Sequence, residues 1–170
     1  AIGNTTGNFT LNEGTIKSWD NNNTTVFGGG NLILNGGELW ILDSAGRTFG
    51  RNTTVNGSAK ITSDRDAAAQ PGVTHTFGTL AMNNNATLTI AGGANVTSGT
   101  AGITLGATTL NSDPTFQTTN PVGAGTTLTL GALGDGGVTA RTITKSGNGT
   151  LTLGTAATSL INGTVVKVTD

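Results

Sequence analysis

Residues 31–41 read NLILNGGELWI, two short runs in which apolar side chains alternate with others, hinged by an Asn-Gly-Gly corner. Alternation with period two turns one face of an extended strand inward and the other outward. The same pattern returns in TTVNGSAKI (53–61), TLAMNNNATLTI (79–90), TTLTLG (126–131) and GTLTLG (149–154). Asn, Thr and Gly are poor helix formers, and the only helix-like stretch, DRDAAAQ (64–70), is stopped by Pro71.

These units recur at a period, and the period decides the architecture. Turn residues that end apolar strands fall at Asn12, Asn35, Asn56, Asn84, Asn111, Gly131 and Gly154, an interval in the low twenties that lengthens twice, before Asn84 and before Asn111. Phe27, Phe49 and Phe77 lie seven or eight positions before three of those turns, and Ile103 and Val122 sit near the same offset later on. A period in the low twenties with three short strands is one coil of a parallel β-helix, in which each rung buries little alone and stacked rungs share a continuous core. The expected fold is all-β: a right-handed, single-stranded parallel β-helix (β-solenoid) of about seven rungs of 20–28 residues, spanning residues 1–170 as one segment. A β-sandwich of regularly spaced strands gives no reason for Phe and Asn to recur at one offset. In-register rungs should stack Phe27, Phe49 and Phe77 in one internal column and Leu34, Val55, Met82 and Leu110 in another. The longer intervals fit corner insertions at 63–75 and 91–102.

The composition now has a cause. Thr, Gly and Asn number 35, 28 and 18 of the 170 residues. Gly and Asn tolerate the left-handed backbone of sharp corners, and stacked Asn side chains can hydrogen-bond from rung to rung. Outward Thr favours extended backbone without adding charge that would repel across rungs about 5 Å apart. Charged residues make up 10% of the chain, the net charge is −1 and the pI is near 5.7, which is no electrostatic footprint for nucleic acid. No apolar run approaches the roughly 18 residues of a membrane span. The absence of Cys excludes disulfides, thiolate nucleophiles and Cys-based zinc sites, and a single His makes no His-rich metal site.

The stretch KSGNGTLTLGTAATSLINGTVVKVTD (145–170) resembles the autotransporter-associated β-strand repeat, whose pattern runs K-x-G-x-G-T-L-x-L, a variable corner, then G-x-T-x-V. Lys145, Gly147, Gly149, Thr150, Leu151 and Leu153 match its first half; Gly163, Thr164 and Val166 approximate the second, with SLIN (159–162) standing where the family carries a Gly- and Tyr-containing corner. The close match covers this stretch, and the remainder of the chain is similar in composition and period. The resemblance implies a bacterial extracellular or cell-surface protein of the autotransporter or large-adhesin type, a non-enzymatic solenoid serving as stalk, adhesin or fibre. Its expected partners are copies of itself end to end or neighbouring rungs of a parent chain, and a host surface or glycan. The chain starts at AIGNTTGNFT and ends at KVTD, both mid-pattern, and reads as an excerpt of a longer repeat protein.

No G-x-S-x-G, H-E-x-x-H, P-loop or G-x-G-x-x-G motif occurs, and no catalytic residue is expected. Gly28-Gly29-Gly30 reads as a corner, and GALGDGG (131–137) lacks the repeated Asp of calcium-binding glycine nonapeptides. His75 follows an insertion and reads as a solvated loop residue. Trp19 and Trp40 could stack on sugars, although lining or capping the core is the favoured role. Asp20, Asp43 and Asp64 each fall eight positions after a turn Asn, so they should line one exposed corner column. They are either solvated turn aspartates offset by Arg47 and Arg65, or a low-affinity calcium site, the one cofactor the spacing suggests. Two alternatives to the structural reading are a polysaccharide-binding or -degrading β-helix and an ice-binding solenoid. The first wants an acid–base constellation that nine acids do not supply. The second wants ranks of Thr; Thr127/Thr129 and Thr150/Thr152 align one rung apart, but in this register the earlier rungs offer mixed Asn, Ile, Ala and Thr.

Overall fold

A computed structural model describes residues 6–19, 24–154 and 160–169. All its regular elements are strands, and every strand pair is parallel and joins one rung to the next. The chain is a β-solenoid of about six turns with three main faces. The first face stacks Phe9–Leu11, Leu32–Leu34, Thr53–Val55, Leu80–Met82, Thr108–Leu110 and Leu133–Gly134. The second stacks Thr15–Trp19, Gly37–Asp43, Ala59–Arg65, Thr87–Gly92, Thr115–Thr119, Thr142–Ser146 and Val165–Val168. The third stacks Thr74–Thr76, Thr100–Leu105, Gly125–Leu130 and Thr150–Leu153, with Thr48 bridged to Thr76 as its first contact. The two insertions meet each other: Gln70–Pro71 pairs with Val96–Ser98, a short fourth side between the second and third faces. DRDAAAQ forms no helix; Asp64 and Arg65 end a strand and Ala69 takes a left-handed φ of 57°.

The core consists of columns, because in-register parallel rungs place equivalent side chains one above another. On the first face Leu34, Val55, Met82 and Leu110 form the expected column, and Leu11 extends it by one rung, all buried. Phe27 stacks on Phe49 at 5.3 Å between ring centroids and Phe49 on Phe77 at 5.0 Å, with Phe9 added below Phe27 at 5.6 Å. The column passes to Leu105 and Leu130 rather than to Ile103 and Val122. Ile103 lies opposite His75, and Val122 is 96% exposed.

At the corner between the first and second faces, Asn35 donates to Asn12 at 2.7 Å, Asn56 to Asn35 at 2.8 Å, Asn83 to Asn56 at 2.8 Å and Asn111 to Asn83 at 2.7 Å. The ladder member in the fourth rung is thus Asn83, while Asn84 and Asn85 take left-handed backbone at φ 54° and 53° to complete the turn. Where glycine follows a ladder Asn, at Gly36 and Gly57, the rungs meet too closely for a side chain. A Cβ on Gly57 would overlap the Asn35 carbonyl, and one on Gly37, itself at φ +76°, would lie 2.5 Å from the Gly14 carbonyl oxygen. Gly131 and Gly154 belong to another corner. Gly106 donates to Gly78, Gly131 to Leu105 and Gly106, and Gly154 to Leu130, all at the exit of the third face. Register along the first face runs through Phe9, Leu32, Thr53, Leu80, Thr108 and Leu133, and the rungs that begin at Thr53 and Leu80, which hold the two insertions, are the longest.

Candidate functional site

The acidic column expected at one corner does not form. Strand pairing sets Asp64 opposite Leu42 and Asp43 opposite Arg65, so the two carboxylates stand at successive positions that face opposite ways. Both are buried, at 2% and 1% exposure for Asp43 and Asp64. Asp20 lies outside the described residues. The corner that follows Asn56 is one residue longer than the corner that follows Asn35, since Asn56 stacks on Asn35 whereas Ala59 pairs with Gly37, and this moves Asp64 one position along the strand.

Each carboxylate is engaged by donors. Asp43 accepts the Ala45 N–H at 3.1 Å and pairs with the Arg47 guanidinium at 2.8 Å. Burial pushes its pKa up, but the Arg47 and Ala45 hydrogen bonds outweigh this and hold it below the ordinary carboxylate value. The Arg47 partner is the local charge offset read from the sequence. Asp64 accepts the Trp40 indole N–H at 3.1 Å, the Arg65 N–H at 2.8 Å and the Asn95 N–H at 3.0 Å. The 91–99 insertion folds over it: Gly93 donates to the Ser63 carbonyl, and a Cβ on Gly93 would overlap the Asp64 side chain. Asp64 is therefore a clamp for the insertion. Asp135, in the GALGDGG stretch, plays the same part at the C-terminal rung. It accepts the Ile161 N–H at 2.6 Å, the Gly137 N–H at 2.9 Å and the Thr164 hydroxyl at 3.1 Å. The Ile161 bond is the main cause of a pKa held below the usual value. Among the described residues no three acidic or histidine side chains gather in a cation-holding group.

His75 is not a solvated loop residue. It occupies a fully buried position in the third face, heading the column that continues through Ile103, Leu128 and Leu151. Its Nδ1 accepts the Arg47 N–H at 3.2 Å, which places the ring proton on Nε2, a buried donor with no hydrogen-bond partner among the described residues. Burial lowers its pKa to about 4; nearby Asp43 opposes the shift, and Arg47 and Arg65 add to it. A neutral imidazole packed against Phe49 at 5.9 Å has neither the exposure nor the partner that acid–base work requires.

Neither tryptophan lines the core. Trp40 faces outward on the second face, half covered, with the Lys17 ammonium 3.8 Å from its ring centroid. Trp19 is 72% exposed. Around them the second face carries the outward charges Glu38 and Lys60, paired at 3.0 Å. Burial raises the Glu38 pKa, but the Thr62 hydroxyl and Lys60 bring it below the ordinary value.

The sequence register also misplaced the threonines. Thr127 and Thr129 do lie opposite Thr150 and Thr152. The preceding members of that rank are Thr104, Thr76 and Thr48, because the rungs before Thr129 are longer than the one that separates it from Thr152. The signal was present in the sequence as repeated Thr-x-Thr, hidden by variable corner lengths. Among the described residues the surface holds no pocket, so ligand contact there falls to the faces and ends.

No family model, curated protein or solved structure matches the chain.

Proposed function

We propose that the chain is a non-enzymatic structural and adhesive segment, a stalk, adhesin or fibre, of a bacterial cell-surface or secreted protein. The observation that carries this is the open C-terminal edge of the second face. Val166 and Val168 stand in register with the inward residues Ile143 and Lys145, yet they are 50% and 73% exposed. Core columns thus continue to an edge strand with nothing above it among the described residues, and a row of backbone donors and acceptors accompanies them. A second copy stacked end to end satisfies both needs. The resemblance of residues 145–170 to a surface-protein repeat supports the location, and the engagement of Asp43, Asp64, Asp135 and His75 in packing supports a non-enzymatic role.

Sedimentation velocity over a wide concentration range tests the reading. End-to-end association into elongated species is expected, and Val166→Lys with Val168→Lys should abolish it while the circular dichroism of the solenoid persists. A strictly monomeric chain at the highest concentration would remove the support.

The exposed Trp19 indole favours a second reading in which adhesion is to a glycan, since a bare indole face stacks on a pyranose ring. Binding to immobilised polysaccharide that survives Trp19→Ala would count against it.

A further inference from the structure

The third face repeats one side chain. Thr48 bridges Thr76, Thr76 lies opposite Thr104, Thr104 opposite Thr129 and Thr129 opposite Thr152, an unbroken outward rank across five rungs. Two positions earlier, Thr74, Thr127 and Thr150 form a second rank interrupted by Gly102. The remaining outward positions of the paired strands are Thr100 and Gly125, so no charged side chain stands on them. Neighbours within a rank are about 4.8 Å apart and the two ranks about 6.6 Å apart. Thr is β-branched and stiff at χ1, so hydroxyl and methyl repeat with little freedom to lose.

Cross-strand Thr pairs help hold any parallel sheet together, and that alone would explain a few of them. The first face, however, is stacked by the same pairing, and its outward positions read Thr10, Ile33, Thr54, Ala81, Thr109 and Gly134. Stacking therefore does not itself demand threonine. The uniform face asks for an occupant that is uniform too. An acidic polymer would want Lys or Arg, and a protein partner would want protruding aromatic or Arg anchors in pockets; this face has none of these. Threonine hydroxyls repeating at rung spacing on a charge-free face can hydrogen-bond an ordered layer of water.

We infer that the third face binds ice, with the rank Thr48–Thr76–Thr104–Thr129–Thr152 as its principal contact. Hydroxyls held at fixed spacing by the sheet hold first-layer water in positions that the crystal can continue, and the methyls exclude water arranged otherwise. The inference is independent of whether the solenoid also serves as a spacer or assembles end to end.

The test is partition of the fluorescently labelled chain into slowly grown ice, together with thermal hysteresis. Wild type should be taken into the ice and should give hysteresis. Thr104→Lys with Thr129→Lys should reduce both to the level of an unrelated soluble protein while circular dichroism and the melting midpoint show the fold intact. Thr54→Lys with Thr109→Lys, the same charge placed on the first face, should leave both unchanged. Exclusion of the folded wild type from ice would overturn the inference. So would retention of ice activity by the third-face variant, or a wild-type dimer that the third-face variant dissociates and the first-face variant does not, which would make this face an interface between copies.

Discussion

At the scale of single residues, the buried polar groups are where this thin core is most sensitive. His75 has its pKa lowered to about 4 from 6.5. The unfolded chain therefore takes up a proton between those values that the folded chain refuses, and stability falls as pH drops from about 6.5 to about 4. The full loss is about 3 kcal/mol. Melting followed across that window should show the decline, and His75→Gln, which retains an acceptor for the Arg47 N–H but does not titrate, should flatten it. Thr118 gives the opposite case. It is fully buried beside Ile90, and its hydroxyl has no hydrogen-bond partner among the described residues. Thr118→Val keeps the shape and removes the orphaned hydroxyl, so denaturant titration should show it more stable by about 1 kcal/mol. None of this was legible in sequence, because alternation assigns a residue to a face and says nothing of what lies over the face. Asp64 shows why: its strand position is outward, yet the 91–99 insertion folds over it and the Trp40 indole N–H bonds it.

At the scale of strands and corners, the sequence was most informative where a side chain performs one repeated task. Phenylalanine recurs because ring stacking on neighbouring rungs fills the interior, and Asn12, Asn35 and Asn56 recur because the Asn35 amide donates to Asn12 and the Asn56 amide to Asn35. Both columns were readable as spacing. Where several residues of one type adjoin, as in Asn83-Asn84-Asn85, spacing cannot choose among them, and the hydrogen bond to Asn56 selects Asn83. Glycine misled for a different reason: two corners use it, so Gly131 looked like the successor of Asn111 although it stacks on Gly106. The same ambiguity concealed the threonine rank. The ladder makes a graded prediction. Asn56 donates one ladder bond and accepts another, whereas Asn12 only accepts. Asn56→Ala should cost about 1–2 kcal/mol and Asn12→Ala about half as much by denaturant titration. Phe49 touches Phe27, Phe77 and His75, so Phe49→Ala should cost about 3–5 kcal/mol, with equal losses from all three substitutions counting against the column as the main source of stability.

At the scale of the whole molecule, a solenoid gains its stability rung by rung, because each coil touches only the coils on either side. An interior strand such as Ala59–Arg65 pairs with Gly37–Asp43 on one edge and Thr87–Gly92 on the other. Among the described residues Val165–Val168 pairs with Thr142–Ser146 alone, and all four of its residues are exposed. The first rung is better covered, since Phe9 and Leu11 are buried, with Ile16 its most exposed inward apolar residue at 38%. Opening should therefore begin at the C-terminal edge and move inward. Amide hydrogen exchange should show protection greatest in Ala59–Arg65 and Thr87–Gly92, lower in Thr142–Ser146 and least in Val165–Val168. The Asp135 clamp on Ile161 and Thr164 holds that last rung, so Asp135→Ala should speed exchange there and leave the central rungs unchanged. Equal protection along the whole axis would mean that the chain unfolds as one unit. In that case the apolar edge of Val166 and Val168 would not be a weak end awaiting another rung, and the argument for longitudinal assembly would lose its energetic basis.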